Sequence, residues 1–260
     1  LTIDYLETVD PTVSFSEYAQ ANPYYRKYNS AGEIEKYLYY PEDGINDSSV
    51  SNPLWNAHLN NYNKGQEFGF TNNFIIEWFA THDFRLRAKF GLTKSDDTSD
   101  VRLSPLHSQF DDVSDTEKGL YTHTQTKGLV YEGDLAATFG RLFADKHMVN
   151  AVAGFNFSST KRENYGFSAN GFTDDQFDSP SFANSYPNGE SPDYSRTEKR
   201  AASFYINGGY AYDNRYLLDF NYRSDGASMF GTDNRFRNTW SVGLGWNIHN
   251  EKFLRDKDFF

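Results

Sequence analysis

Tyr216-Leu217-Leu218-Asp219-Phe220-Asn221-Tyr222-Arg223 decides the fold of this chain. Its even positions hold Tyr, Leu, Phe and Tyr, and Asp219, Asn221 and Arg223 stand between them. A repeat of two is the mark of a strand, because successive side chains leave opposite faces of the pleat. Phe84-Arg85-Leu86-Arg87-Ala88-Lys89-Phe90 repeats the scheme with Arg, Arg and Lys on its polar face. Trp240-Ser241-Val242-Gly243-Leu244-Gly245-Trp246-Asn247-Ile248 sets large apolar groups against Ser, Gly and Asn. One greasy face and one charged or polar face is the alternation of a strand with lipid on one side and a watery lumen on the other.

Composition agrees with that reading. The 260 residues include 19 Tyr, 23 Phe and 4 Trp, so 18% is aromatic, which suits a protein that needs aromatic belts at two membrane interfaces. No apolar run reaches about 18 residues, so a transmembrane helix is excluded, while strands that carry apolar groups at half density are not. The formal charge is −11 with Lys and Arg scattered, which argues against a nucleic-acid partner. Cysteine is absent, so thiolate metal sites, a Cys nucleophile and a disulfide framework are excluded. The chain starts at Leu1 without an initiator Met or signal peptide and ends at Phe260 just past a strand-like segment, so both ends read as cuts in a longer protein.

Residues 1–65 are poorly periodic and rich in Tyr, Asn, Pro and Glu, and read as an irregular extracellular region with one short strand at most. Strand signals fill 66–260: Phe74 to Ala80, Phe84 to Lys94, Tyr121 to Phe143, His147 to Phe167, Arg200 to Tyr212, Arg215 to Asp225 and Phe236 to Asn247. Between them lie short turns at Thr81-His82-Asp83, Ala144-Asp145-Lys146 and Asp213-Asn214, and long polar links at Ser95–Lys118 and Ser168–Tyr194. A medium link covers Gly226–Arg235, with turn chemistry at Gly231-Thr232-Asp233-Asn234. In an up-and-down sheet every short turn then falls at one end and every long link at the other. Outer-membrane barrels sort their connections this way, whereas a soluble sandwich has no reason to. Aromatics flank the short turns: Trp78, Phe79, Phe84, Phe139, Phe143, Tyr210, Tyr212, Tyr216 and Trp246, as in a girdle at the headgroups. The fold expected is all-β, a transmembrane antiparallel β-barrel segment of roughly seven to eight strands, with short periplasmic turns and long extracellular loops.

Two sets of candidate site residues follow. Arg85, Arg87, Lys89, Asp219, Asn221 and Arg223 are expected to line the lumen, where they contact solute, a plug or one another. Tyr165, Phe167, Phe172, Phe177, Phe182 and Tyr186 are candidates to stack on a sugar ring or apolar side chain, to meet a lid, or to pack the loop against itself. His58, His82, His107, His123, His147 and His249 are too widely spaced for an HxH or HExxH unit, and Gly-x-Ser-x-Gly and phosphate-binding loops are absent. The chain is therefore expected to be no enzyme and to need no cofactor or metal. Asp111, Asp112 and Asp115 offer oxygen ligands to a hard cation, but without EF-hand spacing a solvated acidic loop explains them.

The C-terminal third carries a family resemblance. Tyr212-Asp213-Asn214-Arg215-Tyr216-Leu217-Leu218, Arg223-Ser224-Asp225-Gly226-Ala227-Ser228-Met229-Phe230-Gly231 and Trp240-Ser241-Val242-Gly243-Leu244-Gly245-Trp246 resemble the SusC/RagA family of TonB-dependent outer-membrane transporters of Bacteroidetes. Phe70-Thr71-Asn72-Asn73-Phe74, Asp145-Lys146-His147-Met148-Val149-Asn150 and Asn52-Pro53-Leu54-Trp55 extend the likeness upstream in consistent order. The resemblance implies a barrel of about 22 strands around an N-terminal plug, in the outer membrane of a Gram-negative bacterium. It implies a SusD-like surface lipoprotein as lid, and TonB, reached through an N-terminal part this chain lacks, as the source of drive. Oligosaccharide or peptide would be the cargo and outer-membrane lipid the surroundings. A passive porin-like barrel and a soluble β-rich carbohydrate-binding module are the alternatives.

Overall fold

The structure, a computed structural model, describes residues 1–39, 49–230, 235–251 and 253–254. In chain order the elements are β1 (Thr2–Asp10), α1 (Phe15–Gln20), β2 (Tyr37–Tyr39), β3 (Val50–Ser51), α2 (Pro53–His58), β4 (Tyr62–Phe79), β5 (Phe84–Leu103), β6 (Leu120–Phe143), β7 (His147–Asn170), β8 (Asp193–Tyr212), β9 (Tyr216–Ala227) and β10 (Phe236–Trp246). One eight-stranded sheet runs β1-β4-β5-β6-β7-β8-β9-β10, all antiparallel. It is an open sheet among the described residues, with β1 and β10 at its edges. β2 and β3 form a separate small pair.

β6 and β7 are 24 residues each, roughly 80 Å of strand against a hydrocarbon thickness of about 30 Å. The surplus projects at the end of the sheet that carries the long links. At the other end the chain reverses tightly. The Lys146 N–H donates to Phe143 O at 3.1 Å, and the Arg215 N–H to Tyr212 O at 2.8 Å. Ala144 (φ 48°), Asp145 (φ 57°), Asp213 (φ 51°) and Asn214 (φ 53°) all take the left-handed conformation, which matches a tight turn to the twist of its strands. Asp and Asn tolerate that conformation readily; Ala144 bears its cost of about 1–2 kcal/mol without such help.

Every short, long and medium connection falls in the expected order, but the strands overrun the expected limits. β5 continues through Ser95-Asp96-Asp97-Thr98-Ser99-Asp100 to Leu103, β7 reaches Asn170 and β8 begins at Asp193. The links that remain are 104–119 and 171–192, shorter than Ser95–Lys118 and Ser168–Tyr194. The apolar-polar alternation stops partway along the strands. The backbone ladder needs no apolar face and goes on. Residues 1–65 supply β1, which pairs with β4 from Thr2↔Thr71 to Asp10↔Asn63, and two short helices. The turn read at Gly231-Thr232-Asp233-Asn234 lies outside the described residues.

Deep burial is concentrated at the long-link end. Val13, Leu38, Asn52, Asn56, Leu59, Arg102, Ser104 and Phe172 are buried there, whereas Phe74, Ile76, Trp78, Leu135, Phe155 and Phe220 along the sheet stand exposed. A sheet whose apolar face lacks a protein partner is built to be covered by something else.

Candidate functional site

Strand register sorts the side chains into two faces. Trp78, Leu86, Ala137, Ala153, Ile206, Tyr222 and Trp240 occupy one row across seven strands, and Phe74, Phe90, Gly133, Phe157, Ala202, Gly226 and Phe236 another. This outer face is an apolar band. On the inner face, Glu77, Arg87, Ala136, Gly154, Tyr205, Arg223 and Thr239 form one row, and Lys89, Asp134, Asn156, Ser203, Asp225 and Arg237 the next. Arg85 shares a row with Asn221, and Asp219 lies one row nearer the short turns. The register thus gathers Arg85, Arg87, Lys89, Asp219, Asn221 and Arg223 on a single face, although the two groups of three are four strands apart.

The inner face is knit by a network that crosses strands. Tyr205 on β8 lies over Gly154 on β7, where any Cβ would overlap the phenol ring, and its hydroxyl donates to Asp134 Oδ2 on β6 at 3.5 Å. Arg87 on β5 reaches the same carboxylate at 3.9 Å. Arg223 Nε donates to Asp225 at 2.7 Å and its Nη2 to Ser203 Oγ at 3.3 Å. Asn221 Nδ2 donates to Ser241 Oγ at 3.2 Å, and Asp219 sits between Gly209 and Gly243, which leave its carboxylate open. Such pairs contribute little stability, about 0–1 kcal/mol each when hydrated. Their effect is to order a charged, wettable wall. Asp134, Tyr205 and Asp225 were not singled out from the sequence, yet each holds a polar-face position in its strand, so alternation was the signal available.

The second set of candidates divides. Tyr165 and Phe167 lie within β7 on the outer face, Tyr165 against Tyr194 (4.9 Å between centroids) and Phe167 against Tyr121 (5.9 Å). Phe172 is 1% exposed. Phe177 and Phe182 stack on each other at 4.6 Å, and Tyr186 stands exposed at the long-link end. Arg102, fully buried, binds these loops with its guanidinium, which donates to Asn60 O, to Asp175 O at 3.0 Å and to Phe177 O at 2.8 Å, above the Phe172 ring, and Asn60 also donates directly to Asp175. Arg102 closes the polar stretch read as a link, where no periodic signal marked it. Of the acidic loop, Asp111 pairs with Lys36, and Asp115 with Lys118 at 2.7 Å.

At the short-turn end, Trp78, Phe84, Phe139, Phe143, Tyr210, Tyr212, Tyr216 and Trp246 all share the outer face, while Phe79 turns inward beside Arg85. The segment after β10 folds back onto this end. The Asn247 and Asn250 amides donate to Asn214 O, and Glu251 accepts from Tyr216 Oη at 2.7 Å, Trp246 Nε1 at 3.2 Å and Arg215 Nη1 at 3.2 Å. The Tyr216 hydroxyl first, then Trp246 and Arg215, hold the Glu251 carboxyl below its ordinary range. A depressed folded-state pKa stabilises docking above the ordinary glutamate value, about 4.3, and that contribution is lost as pH falls through the folded value. Protection of the 247–251 amides, taken relative to the intrinsic exchange rate at each pH, is expected to fall on acidification below pH ~4, and Glu251→Gln to abolish that dependence. Identical pH profiles for both proteins would refute the assignment.

The fold and its two faces are those of a segment of a transmembrane antiparallel β-barrel. No family model matches the chain. In sequence it is similar to the TonB-dependent receptor P26 of Formosa agariphila, at 25% identity over 95% of this chain and 26% of that protein. It is also similar to the TonB-dependent receptor SusC of Bacteroides thetaiotaomicron, at 42% identity over 23% of this chain and 6% of that one. In fold it is similar to the RagAB peptide transporter, with a TM-score of 0.67 at 19% identity over 87% of this chain and 24% of that one. The resemblance to SusC/RagA-type transporters therefore holds in sequence and in fold, and these relatives are receptors and transporters, not enzymes. The chain spans about a quarter of the first curated relative's length.

Proposed function

We propose that this chain is part of the barrel of a TonB-dependent nutrient importer in the outer membrane of a Gram-negative bacterium of the Bacteroidetes. The observation that carries the reading is the two-faced sheet. An unbroken apolar band faces outward over seven strands, and behind it stands a charged wall ordered by Arg87, Asp134, Tyr205 and Arg223. The sequence likeness to TonB-dependent receptors supports it. In this reading the apolar band meets lipid and the inner wall lines the water-filled route or meets a plug. The loop cluster around Arg102 forms part of the extracellular rim, below a SusD-like lipoprotein lid. Oligosaccharide or peptide enters from that side, and TonB, engaged elsewhere in the protein, supplies the drive from the proton gradient. No covalent chemistry is involved.

The test uses the full-length gene in its own host. Deletion is expected to abolish uptake of labelled oligosaccharides or of labelled peptides, and a protonophore to reproduce the loss in the intact strain. Uptake that persists when the gradient is collapsed would instead make the protein a passive pore.

A further inference from the structure

Above the apolar band the outer face changes character in a consistent way. Moving from the band toward the long links, the first charged outer-face residue is Lys94 on β5, Lys127 on β6, Lys161 on β7 and Arg200 on β8. All four are basic, in a chain whose formal charge is −11. On β8, β7 and β6 this residue also steps up by one register row per strand: Arg200 is level with Ser159 and Tyr131, Lys161 with Leu129, and Lys127 with Glu163.

Local pairing offsets these cations only in part, since Lys161, Arg196 and Arg200 share two carboxylates. Glu163 is shared by Lys161 (2.8 Å) and Arg196 (3.9 Å), and Glu198 by Arg196 (3.1 Å) and Arg200. Asp96 accepts from Gln125 at 2.7 Å, and Lys127 lies over the Tyr165 ring at 5.5 Å. The Arg196 and Arg200 side chains remain 49% and 66% exposed. Long basic side chains rest their stems on apolar surface and carry the charge outward, and guanidinium and ammonium groups are the usual partners of phosphate.

We propose that this ledge on β5–β8 binds the phosphate groups of the glycolipid in the outer leaflet, the headgroups lying directly against the upper edge of the apolar band. The proposal rests on the outer-membrane reading above, and it assigns a lipid class to one face of the barrel.

The full-length transporter is reconstituted into two kinds of phosphatidylethanolamine vesicle, one containing phosphorylated lipid A and the other its dephosphorylated form. Lipid retained after mild delipidation is counted by native mass spectrometry, and insertion is followed by heat-modifiable migration. The wild-type protein is expected to retain the phosphorylated form preferentially. The triple variant Lys161→Gln, Arg196→Gln, Arg200→Gln is expected to lose about tenfold or more of that preference, since each basic residue near an anionic surface is worth roughly fivefold. The wild-type comparison stands by itself if the variant fails to insert. Insertion with equal retention of both lipids overturns the ledge alone. A wild-type protein that does not insert overturns the outer-membrane reading and the ledge with it.

Discussion

Replacing Arg102 with Ala is expected to loosen the link 171–192 where it passes over Arg102, at Asp175 and Phe177, and leave the strands below intact. The side chain is fully buried and donates to the carbonyls of Asn60, Asp175 and Phe177, beside direct hydrogen bonds from Asn60 to Asp175. Truncation leaves Asn60 O and Phe177 O without this donor, while Asp175 O keeps Asn60 Nδ2, and opens the space beneath Phe172, a loss of about 3–5 kcal/mol from two unsatisfied acceptors and a cavity. Arg102→Lys keeps the charge but replaces a planar fork with a compact point donor, so it is expected to recover only part of the loss. Hydrogen exchange of the full-length protein checks this directly. Protection should fall across 171–178 and around Asn60, and stay unchanged in the middle of β6 and β7. Unchanged protection at Asn60 and 171–178 in the Ala variant would mean that Arg102 is not the clamp.

The second large effect is expected on the outer face. Leu135 lies midway along the apolar stretch of β6, between Ala88 and Phe155 in its row. Leu135→Arg places a guanidinium near the hydrocarbon midplane, at a cost of about 2–4 kcal/mol in a transmembrane barrel. Asn156→Arg is the control. It lies one row further toward the long links on the inner face, between Asp134 and Ser203, where water and a nearby carboxylate accept the charge, and is expected to cost less than about 1 kcal/mol. Equilibrium unfolding of the full-length protein in lipid vesicles separates the two. Equal destabilisation would contradict the assignment of lipid to the outer face.

The candidate site was legible to different depths. Arg85, Arg87 and Lys89, and likewise Asp219, Asn221 and Arg223, could be placed on a polar strand face because that information sits within a few residues. Their common membership of one wall could not, since it depends on the pairings Arg87↔Ala136↔Gly154↔Tyr205↔Arg223, which link residues far apart in the chain. Gly154 shows the limit well. Alone it reads as a small residue in a strand; only the register reveals that its missing side chain lets Tyr205 reach Asp134.

By itself, then, the amino-acid order determined the two-faced character of each strand, the sorting of short turns from long links and the family likeness, because alternation and turn chemistry are local. Three things were decided only by the tertiary structure. The strands run on past the apolar signal, since backbone pairing needs no apolar face. Charges from distant strands share one wall, since register is set between strands. Arg102 becomes the buried clamp of the rim, since its partners Asn60, Asp175 and Phe177 meet it only once β5 is paired and the link 171–192 has folded over it.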